Sequence, residues 1–234
     1  MKIFRYALVA LGLTLMASRS RSQDLVAYDL STATAGNFYT GQQNFGGTVG
    51  MEFDVNSAAI KVTSLGVFDS NRDGFQHVLT AYIFDRDTHN LLAQQSFSGT
   101  TTGSAGTLIG YHRFKDLTTG LILNAGHYII AADAFTGSDT LGNETFSGFK
   151  SDTFNSGGGL ITSIAPSVYA EAFLGPGTYP NNGFGSAFAF NAGSFTYSLY
   201  VPEPGSVALL FCMIGVGGST VYQRVRRRNA KKRA

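Results

Sequence analysis

Alternation with a period of two, repeated in short runs along most of the chain, restricts this sequence to a narrow set of folds. Val49, Met51, Phe53 and Val55 alternate with Gly50, Glu52 and Asp54, giving one apolar and one polar face, as in a half-buried strand. Runs of similar character follow at Lys61–Phe68, His77–Phe84, Leu91–Phe97, Thr107–Phe114, Gly120–Leu123 and Tyr128–Phe135, then at Leu160–Ile164, Val168–Phe173, Ala187–Phe190 and Phe195–Tyr200. Gly, Asn, Asp or Thr clusters bound them, and no segment of the body sustains a helical period over three turns. Many short strands at this spacing predict an all-β body, a β-sandwich or jelly roll.

Cohesion in such a body has to come from burial. The single cysteine, Cys212, falls in an apolar stretch near the carboxyl end, so no disulfide forms within the body. A domain of about 175 residues is large enough to bury a sufficient core. Residues 137 to 195 differ in texture, being rich in Gly, Ser, Asn and Phe with few branched aliphatics. They read as long loops lying over the same sandwich rather than as a second domain.

The two ends carry targeting signals. Lys2 and Arg5 precede an apolar run from Ala7 to Ala17, followed by small and polar residues through Ser22. Residues 1–22 therefore read as a cleavable secretory signal peptide, with an apolar run too short to cross a bilayer. At the other end, residues 201–204 lead into a run from Gly205 to Tyr222 with no charge. A transmembrane helix is expected over 205–223. Residues 224–234 hold seven Lys and Arg, and Arg224, Arg226, Arg227 and Arg228 read as the membrane stop of a cytoplasmic tail. The body, residues 23–200, is then extracellular.

Removing the ends inverts the electrostatics. Of 17 Lys and Arg, four lie in residues 1–22 and seven in the tail, leaving six; all 15 Asp and Glu lie between Asp24 and Glu203, so that span carries 6 − 15 = −9. Such a surface is soluble, repels nucleic acid and attracts divalent cations. Nucleic acid is not an expected partner.

Pro202-Glu203-Pro204, followed by an apolar span and an Arg-rich end, resembles the PEP-CTERM sorting signal. The resemblance implies processing by signal peptidase and a membrane-embedded exosortase in an exopolysaccharide-producing bacterium, from a membrane-anchored precursor to the cell surface or matrix. A second resemblance covers roughly Thr48 to Phe135. Val62-Thr63-Ser64-Leu65-Gly66-Val67-Phe68-Asp69, Ala81-Tyr82-Ile83-Phe84-Asp85, Leu91-Leu92-Ala93 and Leu123-Asn124-Ala125-Gly126-His127-Tyr128 are similar to the all-β modules of unassigned function found in PEP-CTERM proteins. Phe84 stands where those modules usually have Trp. This second resemblance implies an architecture and no activity.

Few constellations carry chemistry. Asp69, Asn71 and Asp73 followed by Gly74 place oxygen ligands at the first, third and fifth positions of a calcium loop. The twelfth-position Glu and the flanking helices of an EF-hand are lacking, so a partial calcium loop and an Asx-rich turn both stand. Asp85, Asp87 and His89 make a weaker case of the same kind and read most simply as a solvated hairpin loop. His77, His89, His112 and His127 show no metal-ligand spacing. No Gly-x-Ser-x-Gly nucleophile elbow occurs. Paired carboxylates for glycoside hydrolysis are not legible in sequence. Phe38, Tyr39, Phe45, Phe154, Tyr179 and Phe184 suit sugar stacking or, more simply, the pinning of Gly-rich loops. The expectation is a non-enzymatic surface or matrix protein without catalytic residues, calcium being the one cofactor considered. The alternative is a carbohydrate-binding module or polysaccharide-acting enzyme, with exopolysaccharide as the partner.

Overall fold

The computed structural model describes residues 24–28, 38–145, 154–183 and 188–202. Residues 1–22, read as a signal peptide, and residues 203–234, which hold the expected membrane span and tail, lie outside the described residues. The chain divides into one unit ending at Tyr200 and another from Val201 on. Among the described residues no helix is long and apolar enough to cross a membrane.

Strands dominate. In chain order they are β1 (Leu25–Val26), β2 (Phe38–Gln43), β3 (Thr48–Val55), β4 (Ile60–Phe68), β5 (Phe75–Asp85), β6 (Leu91–Gly99), β7 (Thr107–Ile109), β8 (His112–Leu123) and β9 (Gly126–Asp133). Then come β10 (Leu141–Thr145), β11 (Ile161–Ala170), β12 (Asn182–Gly183), β13 (Phe188–Phe190) and β14 (Gly193–Leu199). Among the described residues, one short helical turn, α1 (Thr102–Ala105), and a 3-10 turn at Ala172–Leu174 interrupt them. One sheet has the order β1-β14-β4-β8-β7 and another β12-β11-β3-β9-β5-β6, with a smaller β13-β10-β2 sheet beside them. Neighbouring strands run antiparallel. The fold is all-β, and the two large sheets share one core.

The period-two pattern decides what enters that core. Val49, Met51, Phe53 and Val55 of β3 point inward with Leu79, Ala81 and Ile83 of β5 and with Ile130 and Ala132 of β9. Ile60, Val62, Leu65 and Val67 of β4 and Phe195 and Tyr197 of β14 come from the facing sheet. Phe53 marks the junction: its ring lies 4.8 Å from that of Phe195 across the sandwich and 5.7 Å from that of Tyr128 on its own sheet.

Several expectations need correction. β3 is not half-buried; every residue but Asp54 is buried, because the opposite face of its sheet is covered too. The run from Thr107 to Phe114 is a hairpin, β7 turning into β8 at Gly110-Tyr111. Gly110 has φ +61°, a value glycine adopts without the steric cost a Cβ would add. β8 then continues through Gly120–Leu123 as one strand, absorbing its extra residues in a register shift opposite Val62 and Ser64. Leu160–Ile164 and Val168–Phe173 are likewise joined in β11, with a register shift between Ile164 and Ser167. Pro166 lies in that shift, where its missing N–H costs no ladder bond. The Gly- and Asn-rich stretch after residue 137 is thus more than loops, since β11 pairs directly with β3.

Phe53→Ala is expected to cost about 3–5 kcal/mol, as a fully buried Phe-to-Ala change does. Phe173→Ala, at a site 83% exposed, is expected to stay within about 0.5 kcal/mol. Urea unfolding of the two variants measures the contrast.

Candidate functional site

The outer face of the six-stranded sheet gathers a set of interacting charged and aromatic side chains. Strand alternation brings Glu52 and Asp54 of β3, Tyr82 and Phe84 of β5, and His127, Ile129, Ala131 and Asp133 of β9 to this side. Their register is fixed by the pairs Glu52 with Ile129, Asp54 with His127 and Tyr82 with Ala131. Tyr82, Phe84, Ile129, Ala131 and Val168 form an apolar cluster apart from the main core, and Tyr179 packs against it.

The segment that carries Tyr179, from the end of β11 to the start of β12, crosses this face as a strap. Its anchor is Asp133, whose Oδ2 accepts from Tyr82 Oη and from the Gly177 N–H, both at 2.8 Å. Gly177 has φ +70°, and a Cβ there would stand 3.2 Å from the Tyr82 ring, so backbone conformation and space both favour glycine. Tyr179 donates from Oη to the Arg86 carbonyl at 3.2 Å. Its ring meets Phe84 edge-on at 5.6 Å and stacks on His89 at 3.9 Å.

Beside the strap lie two charge pairs. Arg86 Nη2 is 3.0 Å from Glu52 Oε2, with Glu52 only 7% exposed. His127 Nδ1 is 2.7 Å from Asp54 Oδ1. Burial holds the Glu52 carboxyl above its ordinary pKa against the attraction of Arg86. Burial does the same for Asp133, opposed by hydrogen bonds from Tyr82, Gly177 and Thr80. The Asp54 hydrogen bond and charge raise the His127 imidazole. Chemically the face offers hydrogen-bonded carboxylates, a guanidinium, an imidazole and a stacked aromatic pair.

The calcium-loop residues fare differently. Asp69 is buried, and its Oδ2 accepts from Arg113 Nε and from the Gly74 N–H at 2.9 Å. Arg113 Nη2 reaches the Arg72 carbonyl at 3.0 Å, and Arg72 lies over the Tyr111 ring at 4.4 Å. Asn71 and Asp73 are exposed. The geometry makes Asp69 the tie between the β4–β5 loop and β8. Among the described residues no three His, Cys, Asp or Glu side chains come together as a metal-binding group.

The Asp85 loop is the β5–β6 hairpin, where Asp85 Oδ1 accepts from the N–H groups of Asp87 and Thr88; these bonds hold the Asp85 carboxyl below its ordinary pKa. His112 is buried between Phe68 and Phe114. Of the loop aromatics, Phe45 packs on Tyr169 and Phe154 on Tyr28, so both pin loops to the sandwich. Pro202 is exposed. Glu203, Pro204, Arg224, Arg226, Arg227, Arg228 and Phe184 lie outside the described residues.

No family model matches the chain, and no curated protein matches it. Among solved structures it is similar to the infectious bursal disease virus VP2 subviral particle, at 12% identity over 85% of this chain and 49% of that one, with a TM-score of 0.26. It is also similar to the infectious bursal disease virus Gt strain structure, at 12% identity over 84% and 48% of the respective chains, with a TM-score of 0.19. The chain spans about half the length of those chains. A likeness this slight bears on neither fold nor function.

The raised His127 pKa links stability to pH. The contribution of the His127–Asp54 pair is complete below the ordinary imidazole value of 6.5 and is lost as pH rises through the higher folded value. Thermal unfolding is therefore expected to shift to lower temperature from pH 6 to pH 9. His127→Gln should flatten that slope in a melt series.

Proposed function

We propose that the chain is the precursor of an exported, non-enzymatic surface or extracellular-matrix protein, anchored by a carboxyl-terminal membrane helix and matured by exosortase-type sorting. The observation that carries this reading is the order of three elements in the sequence: Pro202-Glu203-Pro204, the uncharged run to Tyr222 and the basic cluster from Arg224. Proline fixes the backbone and removes a donor, which suits a peptide presented in extended form to a processing enzyme. The signal peptide, residues 1–22, supplies the export route, and signal peptidase and an exosortase are the processing partners. The net-negative body keeps the released domain soluble.

The charge pairs of the body support a structural role. Glu52 is held by Arg86, Asp54 by His127, Asp69 by Arg113 and Asp133 by Tyr82 and Gly177. These groups brace strands and loops to one another. In the producing cell, Glu203→Ala is expected to leave export intact and to trap a membrane-bound, unprocessed precursor, visible as a larger species in fractionated immunoblots. Normal maturation of this variant would remove the exosortase from the account.

The stacked Tyr179 and His89 beside the Glu52–Arg86 pair favour a second reading, in which the outer face binds exopolysaccharide. Aromatic faces pack on the C–H face of a sugar ring while neighbouring carboxylates and guanidinium take its hydroxyls. On that reading the protein binds a polysaccharide on a glycan array, and Tyr179→Ala weakens binding about tenfold, the equivalent of ~1.4 kcal/mol. Reading the array with and without calcium tests the Asp69, Asn71 and Asp73 loop as well. A blank array leaves the scaffold role alone standing.

A further inference from the structure

Among the described strands the two large sheets have four edges, and three of them are short. β1 and β12 have two residues each and β7 has three. The fourth, β6, runs nine residues from Leu91 to Gly99 and pairs, among the described strands, with β5 alone. Folded proteins protect exposed edges by keeping them short, charged or broken by proline, because unpaired backbone groups are a template for another strand. β6 carries none of these protections in its own sequence: no charge and no proline lies between Leu91 and Gly99.

This edge is also held in place. Phe97 is fully buried, with its ring 6.2 Å from that of Phe75, and Ala93 packs against the core. Leu91 and Leu92 remain 46% and 37% exposed. A fixed, neutral strand with two exposed leucines at one end is suited to strand addition, where main-chain bonds give affinity and side chains set register.

We infer that β6 is a self-association edge, on which a second copy of this chain adds its own β6 antiparallel about a twofold axis near Gln95. A twofold contact has to be self-complementary, and the composition of β6 meets that condition. Leu91 of one copy falls opposite Gly99 of the other, and Gln94 falls opposite Ser96. Net-negative bodies repel each other in general, whereas β6 itself carries no charged side chain. The pairing would join two six-stranded sheets into one. Lys115 bears on the balance: its Nζ donates to the Ser96 carbonyl at 2.9 Å and competes with an incoming strand, which keeps the association reversible.

The test uses the full chain, dispersed in mild detergent and measured by sedimentation velocity. The unaltered protein is expected to sediment as a dimer. The double variant Gln94→Lys with Ser96→Lys sets like charges opposite one another across the axis and is expected to sediment as a monomer. Gln94→Glu with Ser96→Lys places opposite charges at the same two positions and is expected to restore the dimer. Both positions are exposed, and circular dichroism checks that the fold is kept. A monomeric unaltered protein, a dimer that survives the two lysines, or a charge-reversed variant that stays monomeric each overturns the proposal.

Discussion

Contact between two rings, Phe53 on the six-stranded sheet and Phe195 on the five-stranded one, is what the rest of the fold depends on. Their centroids are 4.8 Å apart, and Tyr128 and Tyr197 extend the row on either side. The body has no cysteine and the chain has no tryptophan, so neither a covalent clamp nor the largest side chain helps hold the sheets together. Phe and Tyr take on that burial, and each brings a large apolar area with a preferred tilted geometry. The other strands of the two large sheets are positioned by pairing with β3 or β14, directly or through a neighbour.

A second apolar layer follows from the first. With its inner face filled, the six-stranded sheet still carries Tyr82, Phe84, Ile129 and Val168 on the outside, and water contact with that patch would be unfavourable. The strap covers it, and Asp133 fixes the strap by accepting from both Tyr82 and Gly177. A buried carboxylate is costly unless well hydrogen-bonded, so Asp133 is fully satisfied only with the strap in place, where Gly177 adds to the bonds from Tyr82 and Thr80. Asp69 does the corresponding job at the other site, joining its own loop to Arg113. In both places an acidic group sets the position of the backbone, which explains why its neighbours are N–H and O–H donors.

What the sequence revealed tracks what local periodicity can encode. β3 was legible because its apolar residues recur every second position, and β4, β5, β6 and β9 because short runs with apolar and aromatic residues end at Gly, Asn, Asp or Thr clusters. β2 and β10 leave no such mark, since Phe38–Gln43 and Leu141–Thr145 carry no such alternation. Glu52 and Asp54 read as solvent-facing because alternation says which residues share a face but not what lies over it. The cover is built from Gly175, Pro176, Gly177 and Tyr179, a stretch with no period, brought back across the sheet by contacts more than 40 residues distant in sequence. Asp69 was legible as a turn residue; its partner Arg113, 44 positions on, was not, because no local rule pairs them.

Charge and strand length act together on how this surface meets others. The span from Asp24 to Glu203 has far more carboxylates than basic groups, and like charges hold such bodies apart at long range until salt screens them within about 10 Å. Close approach is then decided by short-range features, chiefly backbone groups left without a strand partner. Two- and three-residue edges give an incoming strand too few bonds to offset its loss of conformational freedom, so β1, β7 and β12 are poor templates. β6 is long enough to do so. Lys115, reaching over Phe97 to the Ser96 carbonyl, places a positive charge in the middle of the one long edge that the described strands of the two large sheets leave. That one side chain both satisfies an acceptor in the single molecule and must leave it before a second strand can take its place.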